Sequence, residues 1–371
     1  MQVDAGRESV FDTGSFERGA QAFWSSAVAC PSAQAASDVR RLLARVEPRL
    51  GWVPPKSAQP GVVTYAELEA RGAAEKLVEL APRAIDAQVG RPRVPWPELS
   101  ARVAAQTGVD ASSARVRAGF TRGHLLEVVV GVPAGVGDLL SVAELLVEGL
   151  LGECFVDDWV AAIDAVPLQR GGALRVIQAD SPASGMHPFS DLCAIAERAV
   201  SAVDAELPRE PRALRAVGAE WTLLEMEPGE GGPQPERVLA STYEPELLKC
   251  ALEGAPFHSR RFSRGGERFL WIGAPALGEG SARSARRQHV EEALDRALRA
   301  RGLGAVIGSG FGERFDYLDL CLSAPESART FTDPARDPAL AFIAELAPQL
   351  GLSGATLAFY DTRWCEVQLT L

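Results

Sequence analysis

Apolar positions recur along this chain with two periods, and the elements they predict alternate between helix and strand. Val39, Leu42, Leu43 and Val46 follow the i, i+3, i+4, i+7 rule of an amphipathic helix that Pro48 closes. Leu139 to Leu151 is apolar except for a stripe of Ser141, Glu144 and Glu148, which predicts a helix largely buried against a sheet. Leu192, Ile195, Ala199, Val203 and Leu207 define a third helix, with Ser190 as its cap. Val290, Ala293, Leu294, Ala297 and Leu298 define a fourth. Its outer face carries the pairs Glu292–Arg296 and Asp295–Arg299, and Gly302 ends it. Further helices are expected from Pro245 to Gly254 and from Pro338 to Leu350, and Thr64 with Glu67 reads as a capping box for a helix starting near Tyr65.

Period-two alternation predicts the strands. Ala114 to Phe120 and His124 to Val132 read as a hairpin around Thr121-Arg122-Gly123, and Phe257 to Ser263 with Glu267 to Ile272 as a second around Arg264-Gly265-Gly266. Trp221 to Glu225, residues 304 to 308, Ala355 to Tyr360 and Trp364 to Leu369 are further strands. Leu174 to Ile177 is another, and Phe23-Trp24 opens a short strand-like run. Gly308-Ser309-Gly310-Phe311-Gly312 resembles a nucleotide loop only superficially. A phosphate cradle needs its glycines to open a helix, whereas Phe315 to Leu322 alternates like a strand, so a tight hairpin turn is the expectation.

The two regions echo each other. Gly119-Phe120 and Glu127 align with Gly310-Phe311 and Asp319, and each hairpin precedes an apolar helix and then an acidic-aromatic element, Asp157-Asp158-Trp159 or Asp361-Thr362-Arg363-Trp364. That order predicts a repeated α-β-β-α-β unit. The expected fold is α+β: two related layered domains, each an antiparallel sheet with helices on one face. Residues 1–20 are expected to be flexible, 21–207 to form the first domain, 208–218 a proline-bearing linker, and 219–371 the second domain.

Composition narrows the function. A formal net charge of -11 argues against a nucleic-acid partner, which needs a basic surface, and suits a basic protein partner. The six cysteines are too far apart for zinc-ligand spacing or a CxxC pair, and they read as buried small hydrophobes of a reducing, cytoplasmic compartment. No stretch is expected to cross a membrane, and neither metal nor cofactor is expected. Asp157, Asp158 and His124 are the catalytic candidates, because paired carboxylates and an imidazole can serve as acid and base. Adjacent carboxylates would diverge on a strand, and at a helix start they would only charge its N-terminus. Phe262, Phe269 and Trp271 with Arg260, Arg261, Arg264 and Arg268 suggest a basic aromatic hairpin for an anionic ligand or partner. Phe311, Glu313, Trp159, Arg264 and Trp364 are the candidate partner-binding residues.

In residues 288 to 371 a helix ending Arg301-Gly-Leu-Gly is followed by Gly308-Ser-Gly-Phe-Gly. The strand Phe315-Asp-Tyr-Leu-Asp, a helix and Leu352-Ser-Gly-Ala-Thr come next. This layout resembles that of bacterial polymorphic-toxin immunity proteins, and Ala22-Phe23-Trp24, Cys30 and Trp52 weakly resemble the opening of another immunity family. The resemblance transfers no functional residue. It implies a cytoplasmic, non-enzymatic protein that neutralises a toxin by binding it. The alternatives are a hydrolase-like enzyme using Asp157 and Asp158, and a scaffold subunit of a larger assembly.

Overall fold

Strands that bury both faces need apolar or internally paired side chains at every position, and the largest sheet of this protein is built that way. The computed structural model describes residues 2–3, 13–29, 33–55, 60–133, 137–168, 185–214, 221–225, 236–252, 256–276, 279–323, 337–362 and 368–371. Among them the fold is α+β, with ten α-helices and three sheets. Internal contacts divide the chain into two units, Met1–Val89 with Leu207–Leu371, and Gly90–Glu206. One boundary lies where the sequence suggests it. The other, at Val89/Gly90, splits the stretch expected to form a single N-terminal domain, because Gly90 to Pro97 reads as an ordinary connection.

The first unit opens with β1 (Gln2–Val3), α1 (Thr13–Ala29), α2 (Ala33–Val46), β2 (Leu50–Val53), β3 (Gly61–Tyr65), α3 (Arg71–Glu79) and β4 (Ala87–Val89). β2 and β3 are antiparallel, and β3 and β4 are parallel. Phe16, Ala20, Phe23 and Trp24 line one side of α1 and are buried, so Phe23-Trp24 belongs to a helix, and Phe16 and Ala20, within the stretch expected to be flexible, are packed. The small residues between them hide the helical period. Trp24 stands edge-on to Phe23 and Trp52 at 4.7 and 5.3 Å, and its indole N–H donates to Leu77 O at 2.9 Å. Thr64 and Tyr65 end β3 instead of capping a helix. The run Val62-Val63-Thr64-Tyr65 favours a pleated strand, and α3 starts only at Arg71.

The second unit contains α4 (Trp96–Thr107), β5 (Arg115–Phe120), β6 (Leu126–Pro133), α5 (Leu139–Leu151), α6 (Glu153–Trp159), β7 (Val160–Leu168), β8 (His187–Pro188) and α7 (Leu192–Glu206). Its sheet runs β7-β6-β5-β8, with β5–β6 antiparallel as expected and β6–β7 parallel, so it is mixed. Leu126, Val128, Val130 and Val132 are buried on one face while Glu127 is exposed on the other. Helix α5 has the predicted bounds. Asp138 caps it, accepting from Ser141 N at 3.0 Å and from the Ser141 hydroxyl at 2.7 Å, which lowers the Asp138 carboxyl below its usual range. The stretch at Leu174 to Ile177 lies outside the described residues.

The chain returns to the first unit with β9 (Thr222–Glu225), β10 (Arg237–Thr242), α8 (Pro245–Leu252), β11 (Arg268–Pro275), α9 (Gly280–Ala300), β12 (Gly304–Gly312), β13 (Phe315–Leu322), α10 (Pro338–Leu346), β14 (Thr356–Phe359) and β15 (Gln368–Thr370). These make a seven-stranded antiparallel sheet ordered β15-β14-β11-β13-β12-β10-β9, and β1 adds beside β15. Leu270, Ile272, Leu318, Leu320, Leu322, Leu357 and Phe359 face α9 and α10. The alternate positions Phe269, Trp271, Tyr317, Cys321, Ala358 and Tyr360 meet α8, Phe257 and Phe262. Both faces are therefore covered, not one.

The Gly308–Gly312 stretch lies within β12, and the turn is the Glu313-Arg314 pair that directly follows it. Phe257 to Ser263 is not a strand: Ser259–Arg261 form a single 3-10 turn, and β11 pairs with β13 and β14 instead. No duplication is visible in this arrangement. Glu127 is exposed where Asp319 is buried, and Asp157-Asp158-Trp159 is helical where Asp361 follows a strand. Within the expected linker, Arg212–Leu214 form a 3-10 turn with Arg212 and Ala213 buried, and residues 215–218 lie outside the described residues.

Asp337 caps α10 from a buried position, accepting from Ala339 N at 2.8 Å and pairing with Arg268. Asp337→Ala is expected to cost about 3–5 kcal/mol, because it strands a buried guanidinium as well as uncapping the helix. Urea unfolding of the purified chain measures it.

Candidate functional site

Strand β13 alternates Tyr317, Asp319 and Cys321 onto one face of the large sheet, and this places a carboxylate in the core. Arg237 of β10 reaches across β12 to meet it. Its Nη1 and Nη2 donate to Asp319 Oδ1 and Oδ2 at 2.8 and 2.7 Å, and the Tyr360 hydroxyl donates to Oδ1 at 2.5 Å. All three side chains are buried, with the Arg237 guanidinium 5.5 Å from the Tyr317 ring. Burial opposes the charge on Arg237, but Asp319 and Tyr360 outweigh it and hold the guanidinium protonated.

Room for this group comes from two glycines and a bulge. The β12–β13 register shifts between Val306 and Gly308, so Ile307 and Gly308 both turn toward Asp319. A Cβ on Gly308 would lie 2.7 Å from Asp319 Oδ2, and one on Gly310 would lie 2.5 Å from Arg237 Nε. Gly308 and Gly310 thus give clearance for the ion pair, Gly310 also for the Leu239 carbonyl, while Gly312 gives it for the Glu236 carbonyl.

A second network lies on the same face. Arg212 donates from Nε to Glu244 at 2.6 Å, from Nη1 to Glu267 at 2.7 Å and from Nη2 to Phe262 O at 2.9 Å, and its guanidinium is 5.1 Å from the Phe269 ring centre. Burial would lower its pKa, yet the two glutamates raise it overall. Ser263 Oγ donates to Glu267 at 3.0 Å. Burial pushes the Cys321 thiol far above its usual range, and Glu267 adds to the shift, so Cys321 stays protonated and is no nucleophile.

His258, Ser259 and Asp361 also come together, where His258 Nδ1 accepts from Arg260 N at 3.1 Å and Asp361 accepts from Ser259 N at 3.0 Å, two bonds that serve the backbone of the 3-10 turn. No group of three or more His, Cys, Asp or Glu among the described residues could hold a metal ion.

The sequence candidates fare unevenly. The parallel pairing of Leu126 with Val160 brings the residues just before each strand, His124 and the Asp157-Asp158 pair, to the same end of the second unit's sheet. His124 lies in the turn closed by Thr121 N donating to Leu125 O at 2.7 Å, not in a strand. Its φ of 59° makes it the one non-glycine residue in the left-handed region among those described. Asp157 and Asp158 occupy the last turn of α6, where successive side chains diverge by about 100° and the helix dipole opposes negative charge.

Trp159 is buried, and Phe311 is half-buried with the Arg287 and Arg283 guanidinium groups 5.3 and 5.7 Å from its ring centre. Glu313 and Arg264 are exposed turn residues, and Trp364 lies outside the described residues. The basic hairpin is mostly core. Arg261, Arg268, Phe262, Phe269 and Trp271 are buried, and Arg260 and Arg264 remain open.

Sequence reasoning missed β10 with Arg237, the buried roles of Arg212 and Tyr360, and the openness of the sheet's outer strand. Leu214 is 67% exposed, Leu223 61% and Trp221 40%, three of the seven large apolar side chains most open to solvent among the described residues. The signal for Arg237 was present. An arginine beginning the apolar run Val238-Leu239-Ala240 needs a buried acid, and Asp319 stands in another apolar run. Comparison with known proteins finds no matching family model, no similar curated protein and no similar solved structure.

Three substitutions test these assignments. Gly310→Ala is expected to destabilise the chain by about 1–3 kcal/mol in urea by crowding Arg237. His124→Ala is expected to cost about 1 kcal/mol more than His124→Asn, because asparagine tolerates the left-handed region and alanine does not. Glu291 on α9 has its carboxyl raised by burial, more than its hydrogen bond to Ser309 and the nearby Arg287 lower it. Its ionised form therefore costs stability once pH exceeds the unfolded carboxylate value of about 4.3. Glu291→Gln is expected to raise the Tm at neutral pH, with the gain vanishing as pH falls below that value.

Proposed function

We propose that this is a cytoplasmic, non-enzymatic protein-binding protein, an immunity-like protein that neutralises a toxin with a basic surface in a bacterial conflict system. One contrast carries the reading. Arg237, Asp319, Arg212 and Glu267 are closed inside internal ion networks, while large apolar side chains stand open at Leu214, Trp221 and Leu223. The net charge of -11 and the C-terminal resemblance to immunity proteins agree with it. No helix among the described residues is long and apolar enough to cross a membrane.

Co-expression with the product of the adjacent gene tests the reading. A stable complex and rescue from that product's toxicity are expected, and the absence of both would remove it. A hydrolase-like reading is kept for one observation, the shared end of the sheet occupied by His124, Asp157 and Asp158. The double change Asp157→Asn and Asp158→Asn is expected to leave binding and rescue within about threefold of the parent. Loss of a measurable turnover in that variant would favour the enzyme.

A further inference from the structure

Strand β9 ends the large sheet among the described residues. It pairs on one side with β10, from Thr222↔Thr242 to Glu225↔Leu239, without a register shift. In an antiparallel pair the outward-facing half of the outer strand's N–H and C=O groups has no partner strand. Side chains alternate about this edge. Leu224 packs on the core that includes Ala240, while Leu223 and Glu225 stand at i and i+2 on the other face, and Trp221, just before the strand, lies edge-on to Tyr243 at 5.5 Å. Residues 222–225 carry no lysine, proline or bulge to blunt the edge, and its protection is limited to its four-residue length and the charge of Glu225.

The strand that carries this edge is itself anchored. Arg237 ties β10 to β13 across β12, so the strand that carries β9 is locked into the sheet by a buried two-point bond. A partner strand would meet a preformed template and would spend little binding energy on ordering it. The exposed Glu225, on a chain of net charge -11, selects a basic residue beside it, and Leu223 selects an aliphatic one.

We propose that β9 is a docking edge for an extended segment of a partner protein. The segment adds as a further antiparallel strand, placing an aliphatic side chain against Leu223 and a lysine or arginine beside Glu225. This deepens the protein-binding reading and rests on it, naming the shape and charge of the partner's contact.

The probe is a fluorescent peptide, Thr-Lys-Val-Val-Thr-Lys-Thr, whose second and fourth residues, a lysine and a valine, share one face to meet Glu225 and Leu223. It is titrated into the full chain and followed by anisotropy, with a backbone N-methylated copy as control. Saturable binding is expected, weakened at least about tenfold by Leu223→Lys and by N-methylation, and less by Glu225→Lys. Amide exchange at 222–225 should slow when the peptide is bound. Leu223→Thr, which keeps strand propensity without adding charge, should also weaken binding, and equal urea midpoints would show that both variants fold. No saturable binding, or equal binding by parent and Leu223→Lys, overturns the proposal. A concentration-dependent dimer lost in Leu223→Lys overturns it too, since the edge would then belong to a second copy. If the parent and Leu223→Lys capture the adjacent gene's product equally, the edge is wrong and the binding reading stands. If the parent captures nothing but binds the peptide as described, the binding reading fails and the edge stands.

Discussion

The large sheet depends on one buried bond, the two-point contact between Arg237 and Asp319. Two charges removed from water are stable only when geometry and extra hydrogen bonds offset their desolvation, and breaking one side of such a pair costs about 3–5 kcal/mol against about 0–1 for a surface pair. Asp319 gains its third bond from Tyr360 of the strand end beyond β11, so the carboxylate joins three regions of the sheet. A one-residue slip of β13 would turn Asp319 into the aliphatic core between the sheet and α9. The pair thus sets register as much as stability. Its space requirement explains the local sequence, because only glycine fits at 308 and 310 beside a carboxylate and a guanidinium.

Once both faces of the sheet are covered, its backbone can meet other molecules only at the edges. Helices α9 and α10 seal one face, and α8 with Phe257 and Phe262 seals the other. Arg212 fastens the returning chain to Glu267 and to the Phe262 carbonyl, and Arg299 of α9 donates to the Arg212 carbonyl at 2.8 Å. Residues 212 and 213 are therefore held by both Glu267 and Arg299, while Leu214 and Trp221 stand open to solvent.

Much of this fold was legible as periodicity. The bounds of α5, the helix face of α9 and the β5–β6 hairpin follow from apolar spacing, since each buries one face locally. Elements whose state is decided at long range were not. Phe23 and Trp24 read as a strand because glycine and alanine blur the helical period of α1. Thr64 read as a cap because its pairing with Gly51 of β2 is not written in its neighbours. Gly308 to Gly312 read as a turn because their reason lies 71 residues earlier at Arg237 and in the partner strand at Asp319. The candidate site divided along the same line. Sequence placed His124 and Asp157-Asp158 as separate features, and the parallel register of β6 and β7, a tertiary fact, put them at one end of a sheet.

The location of charge connects interior and surface. Arg237 with Asp319 and Arg268 with Asp337 are neutral as buried pairs, and Arg212 faces two glutamates. Among the described residues the buried cations and carboxylates nearly balance, six against five, so the net -11 is felt largely at the surface. Such a field draws a basic molecule from beyond contact range and is screened over about 8 Å at physiological salt. It does not hold the molecule once docked, because exposed pairs contribute little. Holding requires apolar burial or backbone hydrogen bonds, and among the described residues both are offered together at β9, where Leu223 stands beside an unpaired strand edge. Long-range attraction and short-range grip are thus assigned to different groups, and only the second depends on the rigidity that Arg237 and Asp319 confer.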